Sequence, residues 1–449
     1  MTVWFDVEDL FHHLRGAHAR PTGIQRLTFE VYRAAVSMAE VRFVRHGPGP
    51  RSFGMVRWAG LAAAFDRAGV RVTVQDQTRD PRQVHTPSRP MRAPLVQGAV
   101  QQGQAAMALA QAGQAAVTVF GRAALRRVRR DVPAAGSFEA SAKPGDTLLV
   151  LGSPWFRQRY SELARWVRDE RRMRFGVLVH DLVPLRRPEW SAPDVTRDFK
   201  EWYADVLPFC DLVLANSRHT ATDVEAYARE IGLALPRPVR ALPVGTGFGE
   251  GPVAQTARLP RPGSYVLFVS TMEARKNHEL MVRVWRRLLA EVASGTRAVE
   301  SVPDLVFAGR IGWQVADLLQ QLDNTSWLNG RIRLVQAPSD GELRALYQGC
   351  LFTVFPSLHE GWGLPVTESL AMGKPCLVSN AAALPEAGGA LCRYFDPEDV
   401  GGAHRAVAAV LDDPAGLAAW EARVRTEFRP VPWTETARAV LDEAAVPRA

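Results

Sequence analysis

The chain has 449 residues, 47% hydrophobic and 23% charged, with a net charge of +8. That length exceeds a single hydrophobic core and suits two domains of about 200 residues each. Composition is that of an ordinary globular protein, and Cys210, Cys350, Cys376 and Cys392 lack CxxC spacing, which excludes a disulfide framework and a cysteine metal site.

The opening MTVWFDVEDLFHHLRG carries no apolar h-region, so no secretory signal is expected. No apolar run approaches the roughly 20 residues that span a bilayer. A cytoplasmic location follows, and the basic balance favours anionic substrates or surfaces. A strand is predicted near Val3–Val7 and a helix from Gly23 to about Val36, with Leu27, Val31 and Ala34 at helical spacing. Residues 85–145 break the α/β rhythm. They are rich in Ala, Gln and Arg and read as an inserted helical region or mobile loop. Within them, Arg122, Arg126, Arg127, Arg129 and Arg130 suit either a solvated helix or contact with anionic lipid. No aromatic residues interleave with them, which disfavours nucleic acid.

Alternation resumes at Thr147–Ser153 (TLLVLGS), a continuous apolar run of the kind found in buried parallel strands. Phe175–Pro184 and Asp211–Ser217 are further strands, separated by a helix with Phe199, Trp202, Tyr203 and Val206 on one face. Glu250–Ser264 has the Pro and Gly content of a linker. Beyond it come five short apolar strands, YVLFVS, DLVFAG, RIRLVQ, LFTVFP and PCLVSN, with helices between them. Asn277 is the expected cap of the helix that follows the first strand. Ser339 with Glu342 makes a capping box before LRALY. Such repeats predict a doubly wound parallel sheet, and two α/β domains place a ligand cleft at the carboxyl ends of their strands.

Leu351–Pro375 runs strand, glycine loop, helix. Pro365 suits the first helical turn and Gly373 the helix end. Gly361 and Gly363 permit close approach of backbone to a ligand, and the bare N–H groups from Leu364 onward suit a diphosphate. Glu360 before the turn and Glu368 within the helix reach different parts of one ligand, one near a sugar ring and the other near ribose hydroxyls. Lys276, beside the start of the next helix upstream, makes a cationic anion site.

This pattern, HEGWGLPVTES followed by AMGKPCLVSN, resembles the signature of retaining glycosyltransferase family 4, whose two glutamates are separated by seven residues. The likeness extends through Leu384–Asp399 and upstream to Val269–Trp285, and covers essentially the whole second domain. It implies a GT-B fold: two Rossmann-like domains facing each other across a cleft, with residues 1–250 as the acceptor-side domain and 262–428 as the nucleotide-sugar domain. Residues 429–449 are expected to form a helix that packs back on the first domain. The resemblance implies a retaining, metal-independent hexosyltransferase with no cofactor. The leaving phosphate would accept the acceptor's proton after same-face attack.

Residue by residue, the resemblance puts Glu360 on sugar hydroxyls, Glu368 on the ribose and Lys276 on the departing diphosphate. His180, in the HDLVP segment at a strand end, would face the transferred sugar. Gly23, in TGIQR, would lie near the diphosphate and acceptor. Many relatives carry an arginine where this chain has Ser270 and Thr271, so Arg275 or Arg310 would supply that charge. The HDLVPL…PEW pattern is similar to bacterial transferases of O-antigen and exopolysaccharide synthesis, which favours mannose from GDP-mannose, with UDP and dTDP sugars open. The expected partners are a nucleotide-sugar donor and a lipid-linked glycan acceptor, with peripheral contact at the inner membrane face. The competing expectations are a catalytically weak relative that binds nucleotide sugar or serves as a membrane-surface assembly subunit, and a membrane-surface scaffold whose working part is the basic insertion.

Overall fold

A computed structural model describes residues 1–15, 21–47, 49, 51–66, 137–153, 155, 159–247, 251–254 and 256–446. The predicted insertion lies outside the described residues up to position 136, and its arginine cluster with it. The chain divides into two compact units, one ending at Phe175 and one running from Gly176 onward.

In the first unit, β1 (Val3–Asp6) pairs in parallel with β2 (Val41–His46) on one side and with β4 (Thr147–Val150) on the other. The strand β3 (Phe53–Val56) is antiparallel to β2. Every residue of β1 and β4 is buried, as a strand covered on both faces requires. The helix Gly23–Met38 opens with a capping box in which Thr22 and Gln25 satisfy each other's backbone N–H groups, a device the sequence reading passed over.

The second unit opens inside β5 (Arg174–Val179), which pairs in parallel with β6 (Leu212–Ala215), itself parallel to β7 (Arg240–Ala241). Its larger sheet has six parallel strands: β8 (Tyr265–Val269), β9 (Asp304–Gly309), β10 (Ile332–Gln336), β11 (Thr353–Phe355), β12 (Cys376–Ser379) and β13 (Arg393–Phe395). Their spatial order is β10-β9-β8-β11-β12-β13, so the chain reverses direction across the sheet between β8 and β11. The continuous apolar runs follow from two-sided burial. In β8, Val266 and Phe268 join the core containing Trp285, Phe307 and Val366, while Tyr265 and Leu267 join Val306 and Tyr347 on the opposite face. A sixth strand, β13, completes what the sequence read as five.

Two caps turned out differently. Ser339 and Glu342 form the expected box. Asn277 occupies the cap position of the helix His278–Ala293 but makes no capping bond. Its backbone is left-handed, at φ 60°, and its side-chain amide donates instead to the carbonyls of Pro397 (2.9 Å) and Pro356 (3.3 Å). Asn tolerates that backbone region because its short polar side chain bonds locally. The residue therefore acts as a staple between loops rather than as a helix start.

The C-terminal helix Trp433–Ala445 is tied to residues 240–246. Thr246 N–H donates to the carbonyl of Val431 at 2.8 Å, and Arg240 pairs with Glu443 at 3.3 Å. A Cβ on Gly245 would stand 2.3 Å from the Trp433 ring, so only glycine permits this seat. All four cysteines are free and buried. No helix among the described residues is long and apolar enough to cross a membrane.

Candidate active site

The site forms where the loops after β8 and β11 meet, at the reversal point of the sheet. In an open parallel sheet this is where two loops diverge and leave a crevice at the strands' carboxyl ends. The loops are stitched together by Asn277 and by a bond from Leu358 N–H to the Arg275 carbonyl at 2.9 Å. Gly309 ends β9 so close to the β8 turn that an added Cβ would lie 1.8 Å from the Ser270 carbonyl oxygen. Met272 N–H then donates to the Arg310 carbonyl at 2.7 Å, which brings Arg310 alongside the turn that lacks an arginine of its own.

Glu360 is the centre of the site and is buried, at 7% exposure. Lys276 Nζ lies 2.5 Å from its Oε1, and Arg275 Nη1 lies 2.8 Å from its Oε2. Ser357 Oγ donates to Oε1 at 2.6 Å. Arg275 also donates to the His359 carbonyl (2.7 Å) and, through Nη2, to Glu273 (2.8 Å), another buried carboxylate. Burial alone would raise the Glu360 carboxyl, but Arg275 and Lys276 outweigh it and hold it down at about 2. The same pairing, mainly with Glu360, holds the Arg275 guanidinium above its ordinary range despite its burial. His278, next along the helix, is buried against Phe268. Burial and the nearby Lys276 lower its imidazole to about 3, so it is neutral core.

The Arg310 side chain is set apart from this network. Burial lowers its guanidinium somewhat, and among the described residues it has neither hydrogen bond nor ion pair. Of the two arginines considered for the vacant phosphate charge, Arg275 is committed to two carboxylates and Arg310 is uncommitted.

The loop after β11 continues through two glycines with different duties. A Cβ on Gly361 would fall 1.8 Å from the His180 carbonyl oxygen. The loop is thus pressed against the end of β5, and Thr220 Oγ1 reaches both the His180 and Gly361 carbonyls, at 3.5 and 3.4 Å. Gly363 has φ 111° and starts the helix Leu364–Ala371, with Pro365 in its first turn. Glu368 is buried inside that helix, where the Tyr347 hydroxyl donates to its Oε2 at 3.1 Å. Gly373 ends the segment at φ 72°.

The geometry therefore brings together Glu360, Lys276, Arg275, Gly361 and His180, with Gly363, Leu364 and Glu368 on the same strand–loop–helix. Gly23 stands in the first unit, at the first position of its helix. Four participants were missed from sequence. Glu273 and Ser357 carry no motif, and only the folded loops show that they brace Arg275 and Glu360. Glu386 accepts the backbone N–H groups of Arg218 and His219, at 2.9 and 2.7 Å, at the start of the helix Arg218–Glu230. Ser217 caps that helix by accepting the Thr220 N–H at 2.9 Å, and the Thr220 hydroxyl bridges two loops as well.

Comparison with known proteins matches part of the chain to a family model. Residues 255–427 match the model of "Glycosyl transferases group 1". The chain carries a glycosyl transferases group 1 domain. The serotype-specific mannosyltransferase WbdA of Escherichia coli is 28% identical over 234 residues, covering 49% of this chain and 28% of that protein. The O-antigen chain mannosyltransferase B of Escherichia coli is 34% identical over 149 residues, 33% of this chain and 37% of that one. Matched stretches span 27% to 32% of the length of the WbdA proteins. Anabaena HepE, solved with UDP and glucose, superimposes with a TM-score of 0.54 at 13% identity, over 98% of both chains. The fold is GT-B, as the group 1 domain and this neighbour together show.

Proposed function

We propose that this protein is a retaining glycosyltransferase that moves a hexose, with mannose favoured, from a nucleoside-diphosphate sugar to a hydroxyl of a growing cell-surface glycan. The observation that carries the reading is the buried cluster in which Glu360 lies between Lys276 and Arg275 at the β8–β11 reversal. A diphosphate leaving group needs fixed cations and backbone dipoles in a site shielded from water, and the buried cations beside a helix start at this reversal support the reading. Lys276 offers a compact point charge, Arg310 a guanidinium with no partner among the described residues, and the helix from Leu364 the positive end of its dipole.

Glu360 would hold hydroxyls of the donor sugar, with the neighbouring cations keeping its carboxylate ionised and ready to accept hydrogen bonds. Glu368, oriented by Tyr347, would take the ribose. His180 would contact the sugar from the end of β5, where Gly361 already touches its carbonyl. No side chain is assigned as a covalent nucleophile; the departing phosphate would accept the acceptor's proton. GDP-mannose is the favoured donor because WbdA and the O-antigen mannosyltransferase B are named for mannose transfer. The acceptor would be a lipid-linked glycan at the inner membrane face.

The test is transfer to acceptor and hydrolysis of donor by Glu360→Ala and Lys276→Ala. Loss of both activities by at least about 100-fold is expected, the scale of removing one fixed transition-state partner. Rates like wild type in both variants would sink the assignment.

A further inference from the structure

Beside the donor site lies a second cluster with a different chemistry. His219 and Asp223 stand four residues apart on the helix Arg218–Glu230, so they share one face, with His219 Nε2 3.5 Å from Asp223 Oδ2. His359, the residue before Glu360, faces His219 with ring centroids 5.4 Å apart. One ligand atom from each of the three residues falls within 4.8 Å of the others. All three are half-buried, and His219 keeps 35% of its side chain open to solvent, which leaves an entry path.

We propose that His219, Asp223 and His359 bind one divalent transition-metal ion of the zinc class, which clips the Glu360 loop to the helix Arg218–Glu230. Two imidazoles and one carboxylate with a fourth position open to water are a zinc-type donor set. Metal–ligand bonds of about 2.0–2.2 Å put tetrahedral ligand atoms about 3.3 Å apart. The His219–Asp223 pair is already at that spacing. His359 lies within 4.8 Å of both, so the ion would have to draw its imidazole inward to complete the set.

The surrounding charge suits a cation. Asp181 and Glu360 both lie close enough to act on His359. Two arginines lie close: Arg275 donates to the His359 carbonyl at 2.7 Å and is held by Glu273 and Glu360, and Arg186, whose Nε is 3.8 Å from Asp223 Oδ1 and whose Nη2 donates to the Asp223 carbonyl, has its Nη1 held by both oxygens of Glu230, at 2.7 and 2.9 Å. The helix itself is anchored independently, because Glu386 takes the backbone N–H of His219. The ion's role is to fix the position of the loop that carries Glu360, and the binding stands whether or not the transfer reading holds.

The experiment titrates cobalt(II) into chelator-stripped full-length protein and follows its visible d–d absorption. Saturation at one equivalent, displacement by zinc, and loss of the band in His219→Gln and Asp223→Asn are expected. A wild-type chain without a saturable band, or a band that persists in both variants, would overturn the proposal. Wild-type protein also provides a check that needs no variant: zinc should protect His219 and His359 from diethylpyrocarbonate while the exposed His12 stays reactive. Equal modification of His219 and His359 with and without zinc would overturn it too.

Discussion

Replacing Glu360 with glutamine removes one charge from the buried cluster while preserving shape and the bond from Ser357. Lys276 then loses its carboxylate, and Arg275 keeps Glu273 and the His359 carbonyl. The size of the effect follows from the carboxyl itself, held at about 2 against an ordinary 4.5. Lowering a carboxyl from 4.5 to about 2 corresponds to ~3 kcal/mol of preferential stabilisation of the charged folded form. That agrees with the ~3–5 kcal/mol typical of breaking a buried pair. At about 2–4 °C per kcal/mol for a unit of this size, the melting temperature near pH 7 should fall by roughly 6–12 °C. The sign with pH is fixed as well. A carboxyl lowered on folding stabilises the protein above its unfolded pKa and loses that effect as pH falls through the folded one. The gap between wild type and Glu360→Gln should therefore begin to close below about pH 4.5 and shrink by about half at pH 3. Differential scanning fluorimetry across that range reads both numbers. A variant that melts with wild type at pH 7, or a gap that stays constant into acid, would refute the account of the cluster.

Two further outcomes follow from the same geometry. Gly361→Ala places a methyl where the His180 carbonyl stands at 1.8 Å, so the loop must retreat by more than an ångström; turnover should drop about 100-fold, the usual cost of such a misplacement, as single-turnover kinetics would show. Arg310→Ala removes a guanidinium with no partner among the described residues, so the melting temperature should stay within about 2 °C of wild type while donor KM rises or kcat falls at least tenfold. A variant with intact kinetics would return the missing phosphate charge to Arg275.

Much of this site was legible because its chemistry is written in contiguous residues. The spacing of Glu360 and Glu368, the glycines around them and Pro365 specify a strand–loop–helix on their own. Lys276 could be read beside a helix start for the same reason. The partners of these residues could not be read, since they are set by tertiary contact. Glu273, Ser357 and Glu386 are ordinary polar residues until folding places them against Arg275, Glu360 and the backbone of His219. Asn277 shows the converse: its sequence position fits a cap, yet two proline carbonyls from distant loops compete for its amide and win. His219 and Asp223 stand four residues apart, a spacing with no meaning until the fold brings His359 to them. The short strands β7 and β13 went unread because two or three residues carry too little periodicity.

The central claim is that Lys276 and Glu360 mark a nucleoside-diphosphate site. Thermal shift of the wild-type protein against GDP, UDP and dTDP, repeated in Lys276→Ala, tests it most directly, since a ligand that binds only the folded state raises its stability by mass action. The account predicts a dose-dependent rise with GDP, weaker effects of UDP and dTDP, and near loss of the response in Lys276→Ala. No shift with any nucleotide, or an undiminished shift in the variant, would contradict it.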